Sequence, residues 1–410
     1  MKDLRKIVPD ELFSWMSRIR RTIHEYPEPG QKEFRTSDLI STCLDELGID
    51  HSRGVGGTGI VGRISNGGSV SDSGGIGSGG TGVGIGNRTV ALRADMDALP
   101  VSEATDLPFS SKNPGFMHAC GHDGHVATLL GAAKLLKDSP PDGTVVLLFQ
   151  PDEEGEGGAQ LMIADGALKG VEAIFAAHLD NRFQVGQIAL RPGANTAYTD
   201  AFDVEITGKG GHAARPQEAV DALLLACQMA LQIQLILTRE LDPLQPAVIT
   251  IGEIKSGSVH NAIAEKAIMR GTIRTIDTHT RDRIVARLKD LAHALGGLYG
   301  ATILVKHYSG YPPVVNTRAE YELARSTAED LLGRECVLDM KDPSMGGEDF
   351  AYYLEKVPGC FFRLGSGSPG TPYVPLHSPH FDFNEEAMRI GAAFMAELVR
   401  AYLQRPAVPG

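Results

Sequence analysis

The stretch His118-Ala119-Cys120-Gly121-His122-Asp123-Gly124-His125 sets a thiol and an imidazole two residues apart. Downstream, Phe149-Gln150-Pro151-Asp152-Glu153-Glu154-Gly155 places two adjacent carboxylates just after an apolar run. Thiolate, imidazole and carboxylate are the ligand set of a divalent transition metal, and a carboxylate left out of the coordination sphere can take a proton from a water at the metal. The chemistry this suggests is hydrolysis. On ligand type alone, Cys120, His122, Glu154, His178 and His377 form the best set among thirteen histidines and five cysteines. His51, His279, His293 and His307 have no companions at ligand spacing. His118, His125 and His380 sit beside better candidates and read as groups that orient ligands or pair with the backbone. A lone Cys is ordinarily a small buried residue, and a Glu pair is ordinarily a solvated turn. The neighbouring Gly121-His122 and the position of the pair directly after a strand-like run argue against both readings.

These residues need a scaffold. Strand-like runs at 89–94, 144–150 and 173–177 alternate with helical patterns such as 126–136, which predicts α/β layers with a largely parallel central sheet. In that class the site is built at the carboxyl ends of the strands. Asp95 and Asp97, Glu153 and Glu154, and His178 all fall at such ends. Ahead of them, 11–25 reads as a helix capped by Asp10, and 36–47 as a second. After Pro192 the rhythm changes to a strand at 201–207, a helix at 217–238, strands at 247–254 and 267–274, a helix at 280–295 and a strand at 301–307. That βαββαβ order is the ferredoxin-like split arrangement. Because 361–364 again reads as a strand and His377 as a ligand, residues 193–311 form an inserted domain between catalytic segments 1–192 and 312–410.

A chain of 410 residues is long enough for two cores. The net charge of -12 disfavours nucleic-acid and anionic-membrane partners, and Arg18-Ile19-Arg20-Arg21 reads as one solvated helix face. An odd number of scattered cysteines is not a disulfide framework, so a reducing, cytoplasmic location is expected. The N-terminus has no apolar signal region, and no apolar run approaches ~20 residues. Residues 65–87, rich in Gly and Ser, read as a surface loop. Gly75-Ile76-Gly77-Ser78-Gly79-Gly80 satisfies a GxGxxG pattern there, but a strand rather than a helix follows, which speaks against a dinucleotide site.

Taken together, Arg20 to Glu28, Leu92 to Pro100, His118 to His125, Phe149 to Gly155, Gly210-Gly211-His212-Ala213-Ala214-Arg215-Pro216, Gly346-Gly347-Glu348-Asp349-Phe350 and His377-Ser378-Pro379 run in family order. The chain resembles the M20 metallopeptidase and aminoacylase family, in the branch of N-acyl-amino-acid amidohydrolases that includes hippurate hydrolases and indole-acetyl-amino-acid hydrolases. The resemblance implies two divalent ions per subunit, zinc or manganese with cobalt as a further candidate, held by Cys120, His122, Glu154, His178 and His377, with Cys120 bridging. It implies Glu153 as general base and later acid, and Asp97 orienting a neighbouring ligand. It further implies homodimers through the inserted domain, with His212 stabilising the oxyanion in the partner's site and Asn261 and Arg274 gripping the substrate carboxylate. The expected substrate is a small N-acyl-amino acid. A dipeptidase or carboxypeptidase on the same scaffold is the nearest rival, and a silent binding protein a more distant one. The sequence departs from the family pattern at Asp152, where Ala is common, at Asn261-Ala262-Ile263-Ala264, which lacks the usual final proline, and at Leu179-Asp180-Asn181.

Overall fold

The computed structural model of the chain describes residues 2–66 and 88–405. The GxGxxG match and nearly all of the Gly/Ser-rich segment lie outside them. Among the described residues the apolar runs assemble into one eight-stranded sheet of β1 (Asp50–Val55), β2 (Gly59–Ser65), β3 (Thr89–Asp95), β4 (Thr144–Gln150), β5 (Ala173–Gln184), β6 (Ile188–Leu190), β7 (Val337–Asp339) and β8 (Gly359–Gly367). Its spatial order is β1-β2-β4-β3-β5-β8-β6-β7. The centre, β4-β3-β5-β8, is parallel, and the β1–β2 hairpin adds an antiparallel edge. The near-continuous Val, Leu and Phe of β4 follow from burial on both faces, as parallel central strands require.

Helices α1 (Asp10–Glu25), α2 (Phe34–Glu46), α3 (His122–Asp138), α4 (Arg318–Leu332) and α5 (Glu386–Leu403) cover this sheet. α3 packs against α1, α5 and β3, and its Val126, Leu129, Leu130, Ala133 and Leu136 are fully buried. It begins at His122, four residues before the apolar pattern does. Gly121 sits at φ 90, a left-handed conformation that glycine adopts without strain, and its carbonyl accepts the His125 N–H. α1 starts at Asp10 with Pro9 before it. Asp10 does not cap the helix; its carboxylate accepts from Arg389 Nη2 at 2.8 Å.

β5 also differs from its expected form, because it continues through His178 to Gln184. Its pairing with β3 ends at Ala176, whereas β8 runs on beside it. His178 therefore lies inside a strand yet beyond its last contact with β3. The solvated face expected for the Arg18–Arg21 cluster fails at Arg20, which is buried between the Phe109 and Phe383 rings. Asp123 and Asp382 neutralise its guanidinium at 2.9 and 2.7 Å.

The chain divides into two compact units, one of residues 1–193, 315–341 and 352–410 and the other of residues 194–314 and 342–351. The second has a four-stranded sheet, antiparallel throughout, in the order Ala247–Ser256, Lys266–Thr275, Tyr198–Thr207, Thr302–Tyr308. Helices Ala222–Leu235 and Thr278–Tyr299 pack on it, giving the βαββαβ order and a separate core around Phe202, Met229, Met269 and Ile284. The first of these helices is shorter than the apolar pattern suggests. Asp221 caps it by accepting the Leu223 and Leu224 N–H groups, and a π turn over Ile236–Glu240 ends it. Residues Ala222–Glu240 are apolar and long enough, by composition, to cross a membrane, and a third of them is packed inside this unit.

Candidate metal centre

Four elements of the larger unit converge at the carboxyl edge of its sheet. The turn after β3 carries Asp97, the start of α3 carries His122 just after Cys120, the turn after β4 carries Glu153 and Glu154, and β5 carries His178. The loop after β8 adds His377, with its N–H bonded to the Ala119 carbonyl at 2.8 Å and its backbone at φ 65.

Backbone carbonyls fix two of the imidazoles. His122 Nδ1–H donates to Asp97 O at 2.9 Å and His178 Nδ1–H to Leu179 O at 2.7 Å, so Nε2 is the atom each ring has left for a metal. His178 Nε2 is 3.4 Å from Cys120 Sγ, and His377 Nε2 is 3.1 Å from Glu154 Oε1. The donor atoms of Cys120, His122 and His178 lie within 4.8 Å of one another, and so do those of Cys120, Glu154 and His377. Cys120 is common to both triads, which is the placement a bridging thiolate needs.

The electrostatics point the same way. Burial, with Glu154 and Glu153 adding to it, pushes the Cys120 thiol well above its ordinary range. Burial, with His125 and Arg363, holds His178 well below the usual imidazole range and therefore neutral, as a ligand must be. His122 behaves oppositely: burial would lower it, but Asp95, Asp97 and Glu154 outweigh burial and raise it to about 10, so a metal at Nε2 must displace a proton. The buried His122 Nε2 and Glu154 Oε1 make no hydrogen bond. Leaving such groups unsatisfied costs ~1–3 kcal/mol each, and a cation held between them removes that cost. The residues present therefore fit divalent metal ions.

Asp97 is the junction of the site. Its Oδ1 accepts the Glu153 N–H at 3.1 Å, its Oδ2 accepts the Glu154 N–H at 3.0 Å, and its own carbonyl holds His122. An amide in place of the carboxylate would turn one N–H acceptor into a donor. Asp97→Asn is expected to weaken metal binding about 10- to 100-fold, read by titrating Zn²⁺ or Mn²⁺ into stripped protein. Affinity equal to the wild type would show that Asp97 does not orient the ligands.

Other residues take places that the sequence shows only in part. His125 donates through Nδ1 to Asp95 at 2.5 Å and accepts the Leu179 N–H at Nε2, so it holds the residue whose carbonyl orients His178. Asp95 in turn accepts from Arg93, and Arg93 donates to Gln150. His380 pairs with the Ala104 carbonyl. His118 does neither of the things expected of it. Its ring nitrogens are buried with no hydrogen bond, and burial keeps it neutral by lowering it to about 3. No sequence signal marked Glu33 as a contributor to this region, and Arg20, although it opens the first family motif, read as solvated.

His212, Asn261 and Arg274 belong to the smaller unit. The first two are brought together, since Gly211–His212 pairs with Ala262–Ile263 and the Ala213 N–H donates to Asn261 O. His212 Nδ1 accepts the Ala214 N–H at 3.0 Å, which leaves Nε2–H as an exposed donor. Arg274 stands apart from them, paired in register with Thr199 at the other end of the same strands. Its Nη1 donates only to the Asp200 and Ile273 carbonyls, and burial, partly offset by Asp200, lowers its pKa.

The profile of Peptidase family M20/M25/M40 matches residues 91–401. IAA-amino acid hydrolase ILR1-like 2 of Arabidopsis thaliana is 40% identical over 406 residues, spanning 98% of this chain and 88% of its own length. N-acetyl-L-cysteine deacetylase of Bacillus subtilis is 38% identical over 387 residues, spanning 94% and 87%. The crystal structure of the Bacillus subtilis YXEP protein, described as a dinuclear metal binding peptidase from the M20 family, is similar at a TM-score of 0.80 and 32% identity, covering 96% of this chain and 99% of that one.

Proposed function

Since the chain belongs to peptidase family M20/M25/M40, we propose that it hydrolyses the amide of N-acyl-amino acids to a carboxylic acid and a free amino acid. It is a metal-dependent hydrolase of amide C–N bonds. The observation that carries the reading is the pair of donor triads sharing Cys120, with Glu153 beside them on the turn that also supplies Glu154. Relatives named for indole-acetyl-amino-acid conjugates and for N-acetylcysteine support the acylated class of substrate.

Two divalent ions bound by Cys120, His122, Glu154, His178 and His377 would polarise the scissile carbonyl and make a water acidic enough to react near neutral pH. Glu153 takes the proton from that water and returns it to the leaving nitrogen. His212, through Nε2–H, donates to the oxygen that becomes negative as the carbonyl turns tetrahedral. Arg274, a half-buried guanidinium that forms no ion pair among the described residues, is suited to the substrate carboxylate, and Asn261, which lies beside His212, would join it there only from the copy that supplies His212. Thiolate and imidazole suit zinc, with manganese and cobalt as the other candidates. Five free thiols fit a reducing cytoplasm.

The same residues argue for a homodimer. Lys266 pairs with Thr207 near His212, while Arg274 pairs with Thr199 eight residues along. At ~3.3 Å per residue the backbone at Arg274 lies roughly 26 Å along the strand from the end that leads to His212, a span longer than one small substrate. A second copy supplies the missing group. The edge strand Ala247–Ser256 and the exposed Leu224 and Leu231 of the adjacent helix offer a surface for it.

The direct test is amino-acid release from N-acetyl, N-benzoyl and indole-acetyl amino acids alongside dipeptides, with zinc or manganese supplied. Cleavage of acylated substrates is expected, whereas cleavage of dipeptides alone would move the assignment to a peptidase. Silence throughout, with metal bound, would favour a binding protein. Mixing inactive His212→Ala and Glu153→Gln chains is expected to restore about a quarter of the wild-type rate, because half the dimers are mixed and each holds one complete site. No recovery on mixing would exclude donation of His212 across a dimer.

A further inference from the structure

Glu33 stands at the N-terminal boundary of α2, where an acidic side chain ordinarily accepts a helix N–H, yet it makes no such bond. Glu28 does that work instead, accepting the Arg35 and Thr36 N–H groups at 3.0 and 2.9 Å. The Glu33 carboxylate turns inward, is fully buried, and accepts the Asp152 N–H at 2.9 Å through Oε1 and the Thr58 hydroxyl at 2.5 Å through Oε2. We propose that Glu33 is a positioning residue that, through the Asp152 N–H, fixes the turn from which Glu153 reaches the reacting water. The proposal rests on the reading of Glu153 as the base.

Three successive N–H groups on this turn are taken by two buried carboxylates, Asp152 by Glu33, then Glu153 and Glu154 by Asp97. Asp97 approaches the turn from β3, and Glu33 holds the residue immediately before the base. Asp152 adopts φ 55, a left-handed conformation that a residue with a Cβ keeps only when its surroundings impose it. Its side chain is wedged as well, since a Cβ on Gly30 or on Gly155 would lie 1.9 or 2.1 Å from Asp152 Oδ1. The segment from Gly30 to Glu33 thus forms a buttress behind the catalytic turn. Burial lifts the Glu33 carboxyl to about 7 against the lowering effect of Thr58. An acid is held there at an electrostatic cost, which solvation alone does not explain.

The test compares Glu33→Asp, which keeps the charge but withdraws the acceptor by one methylene, with Glu33→Gln, which keeps the acceptor and removes the charge. Each is made in the wild type and in Glu153→Gln, on the best substrate of the panel above and with bound metal measured. Glu33→Asp is expected to lower kcat about 30- to 100-fold with KM and metal content unchanged, because a base displaced by about 1 Å loses that much. Glu33→Gln is expected to stay within about threefold of the wild type. In the Glu153→Gln background Glu33→Asp should cost nothing further, since the group it positions is already gone. An equal loss in both backgrounds, loss of metal, or unchanged kcat in Glu33→Asp would overturn the proposal. A Glu153→Gln variant with full activity would overturn the base assignment first, and the proposal with it.

Discussion

Glu153→Gln is expected to leave two metal ions on the protein and to lower kcat by about three orders of magnitude, within the 10²–10⁴ range that a positioned acid–base group supplies. Glutamine has the shape of glutamate, and the bond by which Asp97 holds this residue uses the backbone N–H rather than the side chain. The turn should therefore survive the change. What disappears is the ability to accept a proton from water and hand it to the departing nitrogen. Metal content by elemental analysis, a melting temperature close to that of the wild type, and unchanged KM would show that the loss is chemical. Retention of more than about a tenth of the rate would mean that another group moves the proton.

The second large effect is expected from removing the metal. Stripping the protein with a chelator should abolish turnover and lower the melting temperature, and both should return on adding back zinc or manganese. A ligand that binds the folded chain alone adds about 4 kcal/mol of stability at a free concentration a thousand times its Kd. The metal-free site is poorly satisfied, because a buried thiol faces two carboxylates and the Glu154 and His122 donor atoms have no hydrogen bonds. Burial and those carboxylates hold Cys120 protonated without a cation, so binding must expel its proton. Affinity should then weaken as pH falls, and titration in a weak buffer should show proton release with a stoichiometry of two ions per chain. Binding without proton release would mean that Cys120 is not a ligand.

Much of the donor cluster was legible because several of its residues fall where apolar runs stop. Cys120, His122, Glu153 and Glu154 could be placed from ligand spacing and strand ends alone. The exact frame was harder to read. His178 lies within β5 because a partner strand from far along the chain, β8, prolongs it, and no local pattern contains that information. α3 begins at His122 because Gly121 can turn left-handed, although the polar His122 to His125 stretch hides the start. Arg20 looked solvated because charge ordinarily means exposure. It is buried because Asp123 from α3 and Asp382 from the last loop meet it there. Glu33 escaped notice for the opposite reason, since an acidic residue at a helix start has an ordinary explanation that only the observed bond to Asp152 displaces. In the smaller unit, alternation revealed the βαββαβ order, but the register that sets Lys266 against Thr207 and Arg274 against Thr199 is written in no local pattern.

The position of β8 has a bearing on how the protein comes to be folded. It lies between β5 and β6 in the sheet, yet it follows them by about 170 residues, with the whole smaller unit made in between. Until β8 arrives, β5 and β6 present open edges in a half-finished sheet, and His377 is still to be synthesised. A nascent chain can therefore gather most of the donor cluster early but cannot complete it. Between the making of β6 and the docking of β8 the chain carries unpaired strand edges, the condition that invites wrong pairing.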